Sequence, residues 1–234
     1  MDDMERYGDY NEVDTSPRKS PMLKVIKFIA LFICFGVVLL ILLRLVLFNY
    51  IPSSVTKLYF TDELTAHYNA TGGNIGALTQ NLRAPYDDEK NGNFFCDNLI
   101  VIPEIGELQI TLRYNVSLLE RLEEEYKLSE LDPDSDGLFS FRLWRSGEST
   151  DEATQVVGTL SASHFESFLI YRYYKLVFDG IDFGEGEDEI KWLRLEIFLN
   201  GAEMEKPFMI AVYENNEVYS TFKEYKPSAG EVPS

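Results

Sequence analysis

Only two cysteines and two histidines occur in the 234 residues of this chain. Cys34 lies in an apolar run near the amino end and Cys96 lies well beyond it. An intrachain disulfide within one folded monomer is therefore excluded, and a core must form by burial alone, which about 180 residues can achieve. His67 and His164 stand far apart in no metal-ligand spacing, which excludes a histidine-based zinc site. G-x-S-x-G, a phosphate-binding glycine loop and C-x-x-C are all missing from the sequence, so the common nucleophilic, nucleotide and redox motifs are absent. Basic residues are scarce: 21 against 39 acidic ones, for a net charge of −18. Of these, 15 basic and 33 acidic residues come after Pro52, which places the whole deficit in the carboxyl part. Nucleic acid and an anionic membrane surface both require a basic footprint, and neither fits such a domain.

Long apolar runs are also few, and the single one present organises the chain. Val25 to Phe48 reads VIKFIALFICFGVVLLILLRLVLF, 24 residues interrupted only by Lys27 and Arg44. As a helix it is about 36 Å long, enough for a hydrocarbon core of roughly 30 Å. A cleaved signal is a weaker reading, because its apolar region would be about 7 to 15 residues ending at a small-residue cleavage site. Here Phe28 to Leu43 is already 16 uncharged residues. Arg44, four residues from the apolar end, would snorkel to the headgroups. Arg18, Lys19, Lys24 and Lys27 precede or open the run, against Arg44 and Lys57 at its far end. That asymmetry predicts a single-pass signal anchor in the plasma membrane, with a cytoplasmic amino terminus and an extracellular carboxyl domain. Lys24, Lys27 and Arg44 are its anchoring residues. The expected organisation is a disordered cytoplasmic tail (1–24), a transmembrane helix (25–48), a juxtamembrane linker (49–56), an extracytoplasmic domain (57–226) and a disordered end (227–234).

Strand patterns dominate the domain. LQITLRY (108–114) places Leu108, Ile110, Leu112 and Tyr114 on one face and Gln109, Thr111 and Arg113 on the other, the period of a half-buried strand. With Leu99 to Ile102 and the turn Pro103 to Gly106 it reads as a hairpin. Further strands are expected over 138–144, 155–162, 167–178, 190–199, 207–214 and 218–225, with turns at Asn200-Gly201 and Asn215-Asn216. The segment 167–178 is apolar or aromatic on both faces, so it should be central and covered on both sides. Ser117 with Glu120 resembles a capping box before the stripe Leu118, Leu119, Leu122 and Tyr126, which predicts a helix. A second short helix is expected over Asn74 to Arg83. The fold class is mainly β: an antiparallel β-sandwich of about eight or nine strands with one or two short helices.

Two groups of residues suggest binding chemistry. Asp132, Asp134 and Asp136 in DPDSDG resemble the start of a calcium loop, but the twelfth position is Leu143, so the EF-hand pattern fails. A looser calcium site and an ordinary acidic turn are the remaining readings. If Phe139, Phe141 and Leu143 face the core, Arg142 and Trp144 face outward. If Leu193, Leu195 and Ile197 face inward, Trp192, Arg194 and Glu196 face outward. Arg142, Trp144, Trp192 and Arg194 are thus the candidate ligand surface, suited to sugar rings or a protein partner.

The apolar anchor with KLYFTDELTAHYN and LTQNLRAPYDDEKNGNFFCDNLIVI after it resembles a group of uncharacterised single-pass membrane proteins of low-GC Gram-positive bacteria. The resemblance implies a bacterial cell surface and carries no activity with it. The expected function is a non-catalytic, membrane-anchored binding or scaffolding module whose partner is a surface protein or a glycan. The alternatives are a calcium-dependent adhesion or sensor domain and a surface glycoside hydrolase with paired carboxylates.

Overall fold

The computed structural model describes residues 21–85, 94–146, 153–184, 190, 192–204, 208–211, 222–227 and 231–232. The chain divides into two compact units, Met1–Tyr50 and Ile51–Ser234. In the first, helix α1 (Pro21–Asn49) contains the apolar stretch Lys24–Leu47, long and apolar enough to cross a membrane. The helix opens on Pro21, a residue whose missing N–H costs nothing in a first turn. Residues 21–24, expected in the disordered tail, are therefore helical, while the tail before them lies outside the described residues.

The second unit is mainly β, as the alternating pattern predicts. Its strands are β1 (Leu78–Pro85), β2 (Phe94–Ile102), β3 (Glu107–Asn115), β4 (Phe139–Ser146), β5 (Ala153–Val156), β6 (Thr159–Phe168), β7 (Tyr171–Asp179), β8 (Trp192–Leu199), β9 (Ala202–Glu203), β10 (Phe208–Ala211) and β11 (Lys223–Glu224). Six form a larger sheet in the order β11-β1-β2-β3-β7-β6, and β10-β8-β4-β5 with β9 beside β8 form a smaller one. All of the pairings are antiparallel. One core cluster holds Leu108, Ile110, Leu112, Leu176 and Phe178 of the larger sheet with Leu143, Leu193, Leu195, Ile197 and Ile210 of the smaller. Two sheets that share one apolar core in this way make a sandwich. Tyr174 is its aromatic centre, with ring centroids of Phe165, Phe141, Phe139 and Tyr114 at 5.1, 5.3, 6.2 and 6.3 Å.

Four local expectations change. The residues 167–178, read as one strand, are split between β6 and β7 by a turn at Leu169 and Ile170. Likewise 155–162 is broken at Gly158, whose φ is +76°. The helix expected over 74–83 does not form: 74–77 are loop and 78–83 run in strand β1; a helix forms earlier, α3 (Asp62–Ala70), because Thr61 Oγ1 accepts the Leu64 N–H and so caps it. Helix α4 (Ser117–Tyr126) forms with Leu118, Leu119 and Leu122 buried, but its N-cap is Val116, which offers no side-chain capping bond; the Ser117 N–H is met instead by Asn115 Oδ1 at 3.0 Å. Asn200-Gly201 makes its turn with φ of +48° and +82°, though the strand it leads into is β9. Asn215-Asn216 lies outside the described residues.

The largest departure is that β3 is buried on both faces from Glu107 to Tyr114. The segment from Ile51 through α2 (Ser53–Thr56) and α3 covers the face that the period alone leaves to solvent. Thr111 Oγ1 donates to the Val55 carbonyl at 2.7 Å. Gln109 accepts from Tyr59 N at 2.9 Å and donates to Tyr59 O at 2.6 Å, and Thr61 Oγ1 donates to Glu107 at 2.7 Å. Beside these bonds, Leu58, Leu64, Ile75 and Ala77 cluster with Ile100 and Ile102. Residues 51–56, expected as linker, thus belong to the domain, with Val55 fully buried. Glu231, expected in the frayed end, accepts the Tyr225 hydroxyl at 2.9 Å.

Candidate functional site

The outer face of the smaller sheet gathers the aromatic and cationic residues that alternation assigns to it. Across β4 and β8, Arg142 stands opposite Glu196, Trp144 opposite Arg194, and Ser146 opposite Trp192. Directly opposed side chains in such a ladder lie about 5 Å apart and diagonal ones about 7–8 Å, so Trp144 and Trp192 are diagonal neighbours. Glu196 is the organiser of the face. One of its oxygens accepts the Trp144 indole N–H at 2.6 Å and the other meets Arg194 Nη2 at 3.0 Å. Its carboxylate is buried, so each bond is made in low dielectric and holds the indole and the guanidinium in fixed orientations. Arg142 is exposed, with its guanidinium 5.0 Å from the Phe198 ring centre and 5.9 Å from that of Trp144. Cation–π contact of this kind orients the planar fork while its N–H edges stay open to a ligand.

Trp144, Trp192 and Phe198 belong to none of the three apolar clusters of the domain. Among the described residues the face is thus separate from the packed core, with Trp144, Trp192 and Phe198 half-buried. Four of its members, Arg142, Trp144, Trp192 and Arg194, come from the sequence pattern, as does the outward place of Glu196. Phe198, opposite Ser140, continues the same row and was legible from the period of β8. What alternation does not reveal is the bonding of Glu196 to two partners at once, because that depends on the register of β4 against β8.

The acidic loop is placed differently from its ligand-like spelling. Asp134 faces Arg172 Nε at 2.9 Å and accepts the Ser167 hydroxyl at 3.0 Å. Asp132 accepts the Asp134 amide at 3.0 Å, folding the loop on itself. Tyr174 OH lies 3.3 Å from the Asp136 carbonyl and Tyr114 OH 3.3 Å from that of Pro133. Asp134 thus serves a buried arginine and the loop closes one end of the sandwich. Among the described residues, no group of three or more His, Cys, Asp or Glu side chains is arranged to hold a metal. Both cysteines are free, and burial pushes the Cys96 thiol far above its ordinary range.

Under the segment 51–64 lies a polar layer that sequence reasoning missed. Asp97 pairs with Arg113 at 3.1 Å, both side chains almost wholly buried, and Arg113 also sits 5.0 Å from the rings of Phe95 and Tyr171. Next to it, Lys175 is buried, and among the described residues its Nζ makes no hydrogen bond. Burial lowers its ammonium to about 7, with Glu107 and Glu231 pulling in the opposite direction. Burial likewise raises the Glu107 carboxyl, against hydrogen bonds from Gln109 and Thr61. The available signal was Lys175 between Tyr174 and Leu176, a charge in the middle of the aromatic and apolar stretch YYKLVF. Lys24, Lys27 and Arg44 all lie on α1 and are exposed. No protein-family model matches this chain, and no curated protein or solved structure matches it.

Proposed function

We propose that this chain is a membrane-anchored, non-catalytic binding module, with its amino terminus in the cytoplasm and its β-sandwich outside the cell. The reading rests on α1 as an uncleaved anchor, whose basic residues gather at its amino end. The ligand surface is the row of Arg142, Trp144, Trp192, Arg194 and Phe198. The observation that carries this is the Glu196 carboxylate gripping Trp144 and Arg194 together. A buried acid spent on orienting an outward tryptophan and arginine adds little to the core, yet it pre-organises the residue types that dominate binding hot spots. The exposed Arg142 fork favours a ligand bearing carboxylate or phosphate groups, on a surface glycan or a surface protein.

The full chain in detergent, tested against a glycan array and by cross-linking on intact cells, distinguishes those two sources. Arg142→Ala and Trp192→Ala should each weaken binding at least about tenfold, the loss typical of a hot-spot residue, while leaving the thermal midpoint within about 2 °C. Unchanged binding in both variants would remove this face as the site.

A further inference from the structure

The polar groups already engaged on the outer face of the smaller sheet narrow the class of ligand it can take. One oxygen of Glu196 holds the Trp144 indole N–H and the other meets Arg194 Nη2. This indole therefore offers a ligand its ring and not its donor. Arg142 stands directly opposite Glu196 in the strand register, yet the acid across from it is committed to those two neighbours. Among the described residues, no carboxylate pairs with Arg142. Its exposed guanidinium is held 5.0 Å from the Phe198 ring centre and 5.9 Å from that of Trp144, so the fork is oriented before any ligand arrives.

Charge then sets how many anionic groups that ligand carries. After Pro52 the chain has 33 acidic and 15 basic residues, and such a domain repels a polyanion. A basic partner would be drawn to the domain as a whole but repelled at Arg142. A nearly neutral ligand with one carboxylate meets neither penalty. One planar fork takes one carboxylate edge to edge, through two parallel N–H bonds. A phosphate in the same place brings up to twice the charge into the same unfavourable field.

The strand register argues for a sugar chain over a peptide. Val156, Trp144, Arg194 and Met209 form one row across β5, β4, β8 and β10, so no strand edge is open in the middle of the face and a peptide cannot join there as an added strand. What the face presents is ring surface beside a cation. Trp144 and Trp192, the two tryptophans of the chain, suit the apolar C–H faces of pyranose rings, which gain dispersion and bury apolar area against an indole. We propose that the ligand is an otherwise neutral oligosaccharide carrying an isolated hexuronate, with its carboxylate on the Arg142 fork and its sugar rings against Trp144 and Trp192. The proposal rests on the reading of this face as the ligand surface.

Because both tryptophans belong to this face, their own emission is the readout. The full chain in detergent is titrated with tetrasaccharides of three neutral hexoses and one glucuronate, galacturonate or mannuronate. Parallel titrations use the carboxyl-reduced forms, counterparts with a 6-phosphate in place of the carboxylate, and tetragalacturonate. At least one mono-uronate should shift the emission and bind at least about tenfold tighter than its reduced form, the gain expected of a charge-assisted bidentate contact. It should also bind tighter than the phosphate and tetragalacturonate probes. Arg142→Lys keeps the charge and loses the fork, so it should lose most of that preference while binding the reduced form as the wild type does. Equal affinity for acidic and reduced forms, tighter binding of phosphate or of tetragalacturonate, or a preference that survives Arg142→Lys would each overturn the proposal. Silence from every sugar would overturn it too, and cell-surface cross-linking of Trp192→Ala then judges the reading beneath it. A cross-link lost in that variant leaves the face standing with a protein partner, and an unchanged pattern removes the face as well.

Discussion

Lys175 sits on a strand whose residues from Tyr171 to Phe178 are all buried, flanked across the sheet by Thr111 and His164. Its lowered pKa, about 7, compares with about 10.4 for lysine in an unfolded chain. Between those values the unfolded chain holds a proton that the folded chain does not, so stability rises with pH across that window. Above it the sign reverses, because burial raises the Tyr173 and Tyr225 phenols to about 12 and these stay protonated in the fold while unfolded tyrosines ionise. Replacing the ammonium by a thioether of similar length, Lys175→Met, should stabilise the protein at pH 7 by roughly 1 to 4 kcal/mol, the range seen when buried charge gives way to packing. The same change should flatten the rise from pH 7 to pH 10 in urea unfolding. A wild-type slope retained by the variant would show that other groups carry it. The identity of this residue was plain in the sequence, but its burial was not, since the strand beside it and the acids that act on it, Glu107 and Glu231, are distant in the chain.

At the level of elements, the β2–β3 hairpin shows what local sequence can specify. Pro103 opens a single turn of 3-10 helix (Pro103–Ile105), and Gly106 comes next with a φ of +66°. Its N–H bonds Pro103 O and its own carbonyl accepts from Ile181 N at 2.9 Å. A Cβ on Gly106 would stand 2.5 Å from the Ile181 carbonyl oxygen, and backbone on both sides cannot give way. Gly106→Ala should therefore cost about 2–3 kcal/mol, combining the left-handed penalty with the clash, and lower the thermal midpoint accordingly. This turn was readable because proline and glycine punctuate it. The β6–β7 turn was not, because Leu169 and Ile170 are strand formers in isolation, and only the pairing of Phe168 with Tyr171 forces the chain to reverse there. The same logic separates the two helices. Leu118, Leu119 and Leu122 announce α4, whereas the segment 74–83 has a helix-like apolar spacing that is overridden by pairing with β2.

Across the whole molecule, the segment after the apolar helix acts as part of the fold. Val55, Leu58 and Leu64 are buried against the larger sheet, and Thr111, Gln109 and Glu107 are bonded to it in turn. A soluble fragment beginning at Ile51 should unfold cooperatively in urea. A fragment beginning at Lys57 loses Val55 and leaves the Thr111 hydroxyl and the Asp97–Arg113 pair less protected, and should fall several kcal/mol in stability, given the cost of burying polar groups whose partners are gone. Equal midpoints for the two fragments would return residues 51–56 to the role of linker. The outward face of β4 and β8 was legible by contrast, because it depends only on alternation within two strands that each carry a clear inward row.

The sequence by itself determined the length and apolar character of the amino-terminal helix, the β class of the domain beyond it, and which side chains of β4 and β8 point outward. Each of these comes from composition or from a period of two or 3.6 residues along a continuous stretch. Only the tertiary structure decided that Glu196 links Trp144 to Arg194, that Leu169 and Ile170 form a turn, and that the larger sheet is covered on its second face. Those features are set by strand register and by contacts between distant segments, and no local pattern encodes which remote segment will lie across a given strand.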